Sequence, residues 1–128
     1  MEERFYYCDT CGNLLFATIA SGIAPHCCGN EMKLLKANNE EGNGEKHLPV
    51  VEMKDAHSMI VKIGIQPHPM TIDHGIRFVC VETTLGVIIR YLDTNERPEI
   101  LIRCDGVPRT VYAYCNIHGL WRVDMNPG

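Results

Sequence analysis

Four cysteines within the first 35 residues constrain this chain more than any other feature. They occur as Cys8-Asp9-Thr10-Cys11-Gly12 and Cys27-Cys28-Gly29. A Cys-x-x-Cys knuckle brings two thiolates to one ion, and the glycine after each pair permits a tight turn. A segment of this length buries too little apolar surface to fold alone, so it needs a metal, disulfides or a partner. The pattern therefore predicts a four-sulfur metal site in a small N-terminal domain.

The identity of this metal stays open at the level of the residues. Cys27 and Cys28 are adjacent, and neighbouring side chains normally point apart, so we expect a distorted tetrahedron. A four-sulfur set suits either zinc or iron, and a structural zinc ribbon is the alternative to an iron site. A vicinal disulfide is disfavoured because it would be strained.

The cysteine count and the net charge limit the cellular compartments and the classes of partner that are expected. The chain of 128 residues has seven cysteines and a net charge of −4. Clustered cysteines in an odd number favour metal binding in a reducing compartment, so we expect a cytoplasmic protein. The acidic balance shows no basic footprint for nucleic acid. The apolar runs are shorter than a membrane span, so no membrane segment is expected.

The amino-acid composition changes near residue 36. This change predicts two domains joined by a linker. Residues 1–36 carry the four cysteines, and residues 37–44 are polar, acidic and rich in Gly and Asn, which predicts a linker. Residues 45–128 form the second part. Its strand-like segments are Met59 to Ile65, Ile76 to Glu82, Gly86 to Leu92, Glu99 to Cys104 and Thr110 to Cys115. Short strands without sustained helical periodicity predict a mainly β chain whose second part is a sandwich or barrel.

A second cluster of metal-binding residues is spread over this β region. Four histidines and one cysteine occur in compact contexts at predicted strand ends or loops. They are His47, His68, His74, Cys115 and His118. The Cys115-x-x-His118 spacing lets both residues reach one ion. Five ligands exceed the four of a structural zinc site and suit an iron with one open position, which implies chemistry on a small molecule.

The chain closely resembles the desulfoferrodoxins. Residues 5–13 with Cys27-Cys28-Gly29 resemble the desulforedoxin-like domain of that family. Residues 45–50, His68-Pro69-Met70 with His74, and residues 114–121 resemble the catalytic domain shared with neelaredoxins. The resemblance covers nearly the whole chain, and the motifs follow the family's order.

The resemblance implies both iron sites and their fold. It implies a desulforedoxin-like domain with a distorted rubredoxin-like iron on Cys8, Cys11, Cys27 and Cys28, followed by an immunoglobulin-like β-sandwich. It also implies a ferrous iron with His47, His68, His74 and His118 in a plane and Cys115 axial. Glu45 would be the carboxylate that occupies the sixth position of the ferric iron, and Lys46 the cation beside the open site.

The same resemblance implies superoxide reduction to hydrogen peroxide, a homodimer and a rubredoxin-like electron donor. It leaves open whether the four-cysteine iron relays electrons or is structural. Two other functions are kept as alternatives, namely a non-catalytic iron electron carrier and a zinc-binding structural protein. The five-ligand count argues against the electron carrier, which needs both irons coordinatively saturated.

Overall fold

The computed structural model describes residues 3–39, 47–64, 69–93 and 97–125. The chain divides into two compact units, Met1–Lys36 and Ala37–Gly128. Their described residues form only strands, turns and irregular segments, with no helix. The part of the chain that the structure describes therefore contains no helix with the length and hydropathy of a membrane span.

The first unit is built from five short strands. They are β1 (Phe5–Tyr7), β2 (Leu14–Phe16), β3 (His26–Cys27), β4 (Asn30–Glu31) and β5 (Lys33–Leu34). An antiparallel sheet has the order β2-β1-β5, and β3 and β4 form a separate hairpin. Two of the four cysteines flank these elements closely, because Cys8 follows β1 and Cys27 ends β3.

The core of this unit is small. Tyr6, Cys8 and Met32 form one buried cluster, with Ala17, Ala24 and Cys27 packed against them, and Phe5 is also buried, beside Phe16. So few apolar side chains cannot offset the chain entropy of folding without further stabilisation. A metal on the cysteines would provide it, since metal binding free energy becomes folding free energy in such domains.

The second unit contains seven longer strands in two antiparallel sheets. They are β6 (Pro49–Asp55), β7 (Ser58–Ile63), β8 (Ile76–Thr83), β9 (Gly86–Tyr91), β10 (Glu99–Arg103), β11 (Pro108–Cys115) and β12 (Gly119–Asp124). One sheet has the order β10-β7-β6 and the other β12-β11-β8-β9. The expectation of a mainly β fold is confirmed, and five of these strands match predicted segments within a few residues.

Residues from both sheets fill one core, as in a sandwich. Met59 and Val61 of β7 and Ile102 of β10 lie in the same buried cluster as Val79 of β8 and Val111 of β11. Inward-facing residues of two packed sheets form such a core. The fold is therefore a β-sandwich that follows a cysteine-rich N-terminal unit.

Strands β6 and β12 were not predicted from the sequence. β6 carries Glu52 and Lys54 on an exposed edge of its sheet, so its apolar alternation is weak. β12 was read as a part of the ligand motif. Residue Asn38, within the predicted linker, lies alongside β12, where its N–H donates to the carbonyl of Leu120 at 2.9 Å and its carbonyl accepts from the N–H of Arg122 at 2.9 Å.

Candidate metal centres

The four N-terminal cysteines converge on one point. The sulfurs of Cys8, Cys11, Cys27 and Cys28 all lie within 4.8 Å of one another. The Cys11 and Cys27 sulfurs are 3.5 Å apart, and those of Cys27 and Cys28 are 4.0 Å apart. A tetrahedron with metal–sulfur bonds of about 2.3 Å has edges of about 3.8 Å. The cluster therefore has the size of a four-sulfur metal site.

Backbone hydrogen bonds shape the first pair of ligands. The Gly12 N–H donates to the Cys8 carbonyl at 2.8 Å, and the Cys8 N–H donates to the Asn13 carbonyl at 2.9 Å. Gly12 adopts a φ of +83°, which glycine tolerates without penalty. Backbone hydrogen bonds from Cys11 lower the pKa of the Cys8 thiol to about 7. This sulfur is thus prepared to bind a cation as a thiolate.

The second pair is presented by a tight hairpin turn. β3 and β4 pair as His26 with Glu31 and Cys27 with Asn30, so Cys28 and Gly29 alone form the loop. Both adopt the left-handed conformation, with φ of 53° for Cys28 and +78° for Gly29. Two-residue loops with positive φ at both positions are type I′ turns. The left-handed backbone at Cys28 lets adjacent cysteines reach one point, at a conformational penalty of about 1–2 kcal/mol.

Contacts among the four thiols favour the protonated forms of Cys27 and Cys28. Hydrogen bonding with Cys11, Cys8 and Cys27 raises the pKa of the Cys28 thiol to about 12, and contact with Cys11 and Cys8 also raises that of Cys27. Four thiolates in contact need a cation to offset their repulsion, and metals displace thiol protons. The chemistry of the donor set therefore fits a metal ion.

The second cluster joins residues from distant parts of the chain. Donor atoms of His47, His74, Cys115 and His118 all lie within 4.8 Å of one another. Nε2 of His47 and Nδ1 of His118 are 3.0 Å apart, and Sγ of Cys115 is 3.9 Å from the same Nδ1. Two nitrogens at right angles on bonds of about 2.1 Å would be about 3.0 Å apart. The residues present fit a shared metal.

The β11–β12 hairpin places two of these ligands. Cys115 ends β11 and pairs with Gly119 at the start of β12, so the loop between them has three residues. On its other side, β11 pairs with β8 through Tyr114–Phe78 and then Cys115–Ile76, which leaves Arg77 as an extra residue. Such a bulge re-aims neighbouring side chains and is common beside active sites.

Cys115 is fully buried, whereas His118 is exposed. The His118 N–H donates to the Cys115 sulfur at 3.5 Å. The turn that carries these two residues therefore hydrogen-bonds its own sulfur. Such bonds orient a thiolate ligand and withdraw charge from it, which tunes the bound metal. The cluster thus has a buried sulfur side and an imidazole at the surface.

His47 and His74 are held in place by different interactions. His47 lies two residues before β6 and is buried, and its ring stacks on Trp121 with centroids 4.7 Å apart. His74 lies in a short loop before β8. Its N–H donates to the Thr71 hydroxyl at 3.0 Å, and its carbonyl accepts from the Thr71 N–H at 2.8 Å. Each imidazole is therefore held by packing or by its local backbone.

Three predicted site residues lie outside the described residues. They are Glu45, Lys46 and the histidine ligand His68. The described residues thus bring together four of the five predicted ligands of the histidine-rich site, and all four of the sulfur site.

The desulfoferrodoxin family model matches residues 39–124. The chain belongs to the desulfoferrodoxin family. The match spans His47, His74, Cys115 and His118, so the histidine-rich cluster lies within the family's own domain. The resemblance predicted from the motifs is confirmed.

Known desulfoferrodoxins extend the similarity over both units. The desulfoferrodoxin of Syntrophotalea carbinolica is 34% identical, covering 94% of this chain and 97% of the relative. That of Nitratidesulfovibrio vulgaris is 35% identical, covering 96% and 97%. Among solved structures, the superoxide reductase from Treponema pallidum has a TM-score of 0.79 at 28% identity, covering 96% of this chain and 98% of that chain.

Two residues that contact the candidate metal ligands were not recognised in the sequence. Asn13 Nδ2 donates to the Cys27 sulfur at 3.6 Å, and Asn116 bonds to the backbone on both sides of His74. Only their positions in the sequence could have indicated these residues. Asn13 follows Cys11-Gly12, and Asn116 lies between the candidate ligands Cys115 and His118. Trp121 packs against the site, because its ring stacks on that of His47.

The remaining cysteines have a different environment. Cys80 and Cys104 are buried in the sandwich, as expected for free cysteines that act as small apolar residues. Burial raises the pKa of the Cys80 thiol to about 12. His57 lies in the turn after β6 and is exposed to solvent. These residues are distinct from both clusters.

Proposed function

We propose that this protein is a superoxide reductase that converts superoxide to hydrogen peroxide by one-electron reduction. The observation that carries the proposal is the convergence of three imidazoles and a buried thiol on one point. One of these imidazoles, that of His118, is exposed at the surface. The chain's family membership and its likeness to the Treponema pallidum superoxide reductase support it.

The proposal assigns two iron ions to each chain. One is held by Cys8, Cys11, Cys27 and Cys28. The other is held by Cys115 with the imidazoles of His47, His68, His74 and His118, of which His68 lies outside the described residues. When bound there, ferrous iron supplies the electron, and two protons complete hydrogen peroxide. An imidazole and thiolate donor set of this kind suits iron.

The protein's own contribution is to hold its donors rigidly. The Cys115 thiol is buried and receives the His118 N–H, so its sulfur faces the cluster in a fixed direction. Stacking on Trp121 restrains the His47 ring, and the Thr71 bonds restrain the His74 backbone. Preorganised ligands lower the reorganisation that accompanies a change of metal charge.

Lys46 and Glu45 complete the proposed site as catalytic residues. Lys46 directly precedes His47 and Glu45 directly precedes Lys46, and both lie outside the described residues. The chain carries a net charge of −4, so attraction of the superoxide anion has to be local. Lys46 attracts the anion and orients a water that delivers a proton. Glu45 would supply a carboxylate ligand to the oxidised iron.

The proposal also covers the organisation of the molecule. Residues 1–36 are a desulforedoxin-like iron domain, residues 37–44 a linker, and residues 45–128 the catalytic domain. The protein acts in the cytoplasm as a homodimer, and a rubredoxin-like protein reduces it. The four-cysteine iron is not needed for the chemistry itself, because the open site lies in the second unit.

Metal content and superoxide consumption test the proposal together. We expect about two irons per chain, a ferric thiolate charge-transfer band and rapid superoxide loss in pulse radiolysis. His74→Ala should lose the band and the activity, while the matched control His57→Ala, at an exposed turn, should keep both. A colourless zinc protein would identify a structural protein. Two irons without superoxide consumption would identify an electron carrier.

A separate variant tests the division of labour between the two irons. Cys11→Ser should remove the four-cysteine iron and leave superoxide reduction by the reduced protein unchanged. A parallel loss of activity in this variant would contradict the proposal that the catalytic domain acts alone. Sedimentation of the parent protein tests the homodimer.

A further inference from the structure

We infer that Asn116 is a positioning residue that fixes the loop bearing His74 against the turn bearing Cys115 and His118. The inference rests on the proposed iron site of the second unit. Asn116 lies in the three-residue loop between β11 and β12. Its side chain is directed toward the backbone of another loop and not toward the cluster.

The amide of Asn116 bonds to both neighbours of His74. Its Oδ1 accepts from the Gly75 N–H at 2.9 Å, and its Nδ2 donates to the Asp73 carbonyl at 2.9 Å. In addition, the Asn116 N–H donates to the Gly75 carbonyl at 3.3 Å. Three hydrogen bonds therefore join the two loops, and two of them are made to the peptide groups that flank His74.

The Asn116 bonds connect the two loops, whereas the bonds of Thr71 lie within one loop. The Thr71 hydroxyl and backbone close the loop on itself through His74, so they set its shape. They do not set its distance from Cys115, which is 41 residues farther along the chain than His74. Pairing of Ile76 with Cys115 brings the two loops together, and the Asn116 bonds extend this connection to the residues on either side of His74. They therefore hold the ring of His74 near that of His118, with centroids 5.0 Å apart.

An amide is required because the two partners have opposite polarity. The Gly75 N–H needs an acceptor and the Asp73 carbonyl needs a donor, and asparagine supplies both at the right length. Ionised aspartate accepts only, so it would keep the Gly75 bond and repel the Asp73 carbonyl. Asn116→Asp therefore removes one of the two side-chain bonds with almost no change in shape.

The packing around Gly75 gives this loop little freedom to relax. A Cβ added at Gly75 would lie 3.2 Å from the Thr71 carbonyl oxygen and 3.4 Å from Cα of Met70. The Ile76 N–H also donates to the Met70 sulfur at 3.3 Å. The loop is therefore tightly packed at Gly75, the residue that takes part in two of the three Asn116 bonds.

The test uses the protein with both irons bound and measures release of the second iron from the reduced form to a ferrous chelator. We expect Asn116→Ala to release this iron about tenfold faster or more, in the range typical for residues that support metal ligands. Asn116→Asp should give a smaller increase. Hydrogen exchange of the segment 70–77 should rise in the same order.

Ile72→Ala is the matched control, since its side chain lies in the same loop and is 77% exposed. It should leave iron release and exchange unchanged. Release from Asn116→Ala within about twofold of the parent would overturn the inference. Should Asn116→Ala also lose the four-cysteine iron through misfolding, the isosteric Asn116→Asp decides, and its parent-like release would equally overturn it.

Superoxide consumption by the unaltered protein is measured separately. If the parent binds iron and consumes no superoxide, the proposed function fails while the release rates still judge Asn116. If the variants release iron as the parent does, the positioning role fails whatever the activity is.

Discussion

Trp121 stacks on the imidazole of His47, with ring centroids 4.7 Å apart and planes inclined by 14°. The same indole donates its N–H to the His118 carbonyl at 3.1 Å. One side chain thus contacts two proposed ligands that are 71 residues apart in the sequence. Segment 37–39 also lies along this part of β12, through Asn38. The indole therefore joins the segment before β6 to the loop between β11 and β12.

The first prediction uses Trp121 as a reporter, because it is the single tryptophan of the chain. Iron bound beside His47 should quench indole fluorescence, so emission should rise as a chelator removes iron from the second unit. Cys11→Ser, which lacks the first iron, should show the same rise. Emission that follows only the four-cysteine iron would show that the second iron lies elsewhere.

The second prediction concerns Lys46, which stays a prediction from the sequence. Lys46→Ala should slow the second-order reaction with superoxide by about tenfold or more, equivalent to about 1.4 kcal/mol of favourable potential. The salt dependence of the rate should also weaken. The control is Lys54→Ala, an exposed lysine of β6 that pairs with Glu52 at 3.4 Å. Unchanged pulse-radiolysis rates in Lys46→Ala would remove it from the mechanism.

The third prediction concerns Asn13, whose amide donates to the Cys27 sulfur at 3.6 Å. Such a bond favours the more negative, reduced form of an iron–thiolate site. Asn13→Ala should therefore lower the midpoint potential of the four-cysteine iron by a few tens of millivolts, since a neutral hydrogen bond contributes about 1 kcal/mol. Asn30→Ala, at an exposed position of β4, serves as control. Equal potentials in all three proteins would exclude this role.

The fourth prediction is a pH dependence of stability that arises from Cys80. Burial raises the pKa of this thiol from 9.0 to about 12 in the folded chain. Above pH 9 the unfolded chain loses this proton first, so the contribution of Cys80 to stability is complete below pH 9 and is lost as pH rises toward 12. Cys80→Ala should therefore flatten the fall of unfolding free energy over this range in urea titrations. A slope identical to that of the parent would refute it.

The sequence was informative wherever structure or chemistry depends on local residues. Strands β7 to β11 were predicted because their apolar and β-branched residues mark them directly. β6 was missed because its exposed edge position tolerates charged residues. The candidate metal ligands were likewise recognised from short stretches of sequence. The spacing of the cysteine knuckles and of the Cys115-x-x-His118 pair indicates metal binding before the fold is known. Asn13 and Asn116 were not recognised, because a side chain that bonds to distant atoms leaves no periodic signal.

By itself, the sequence determined which residue types are available to bind metal, that the chain divides into a cysteine-rich part and a β part, and that strands dominate. Only the tertiary structure decided how the ligands meet. Cys28 reaches its partners through a left-handed turn, and His74 meets Cys115 because β8 and β11 pair with a bulge at Arg77. Donor chemistry belongs to single side chains, whereas convergence depends on backbone pairing between residues far apart in the chain.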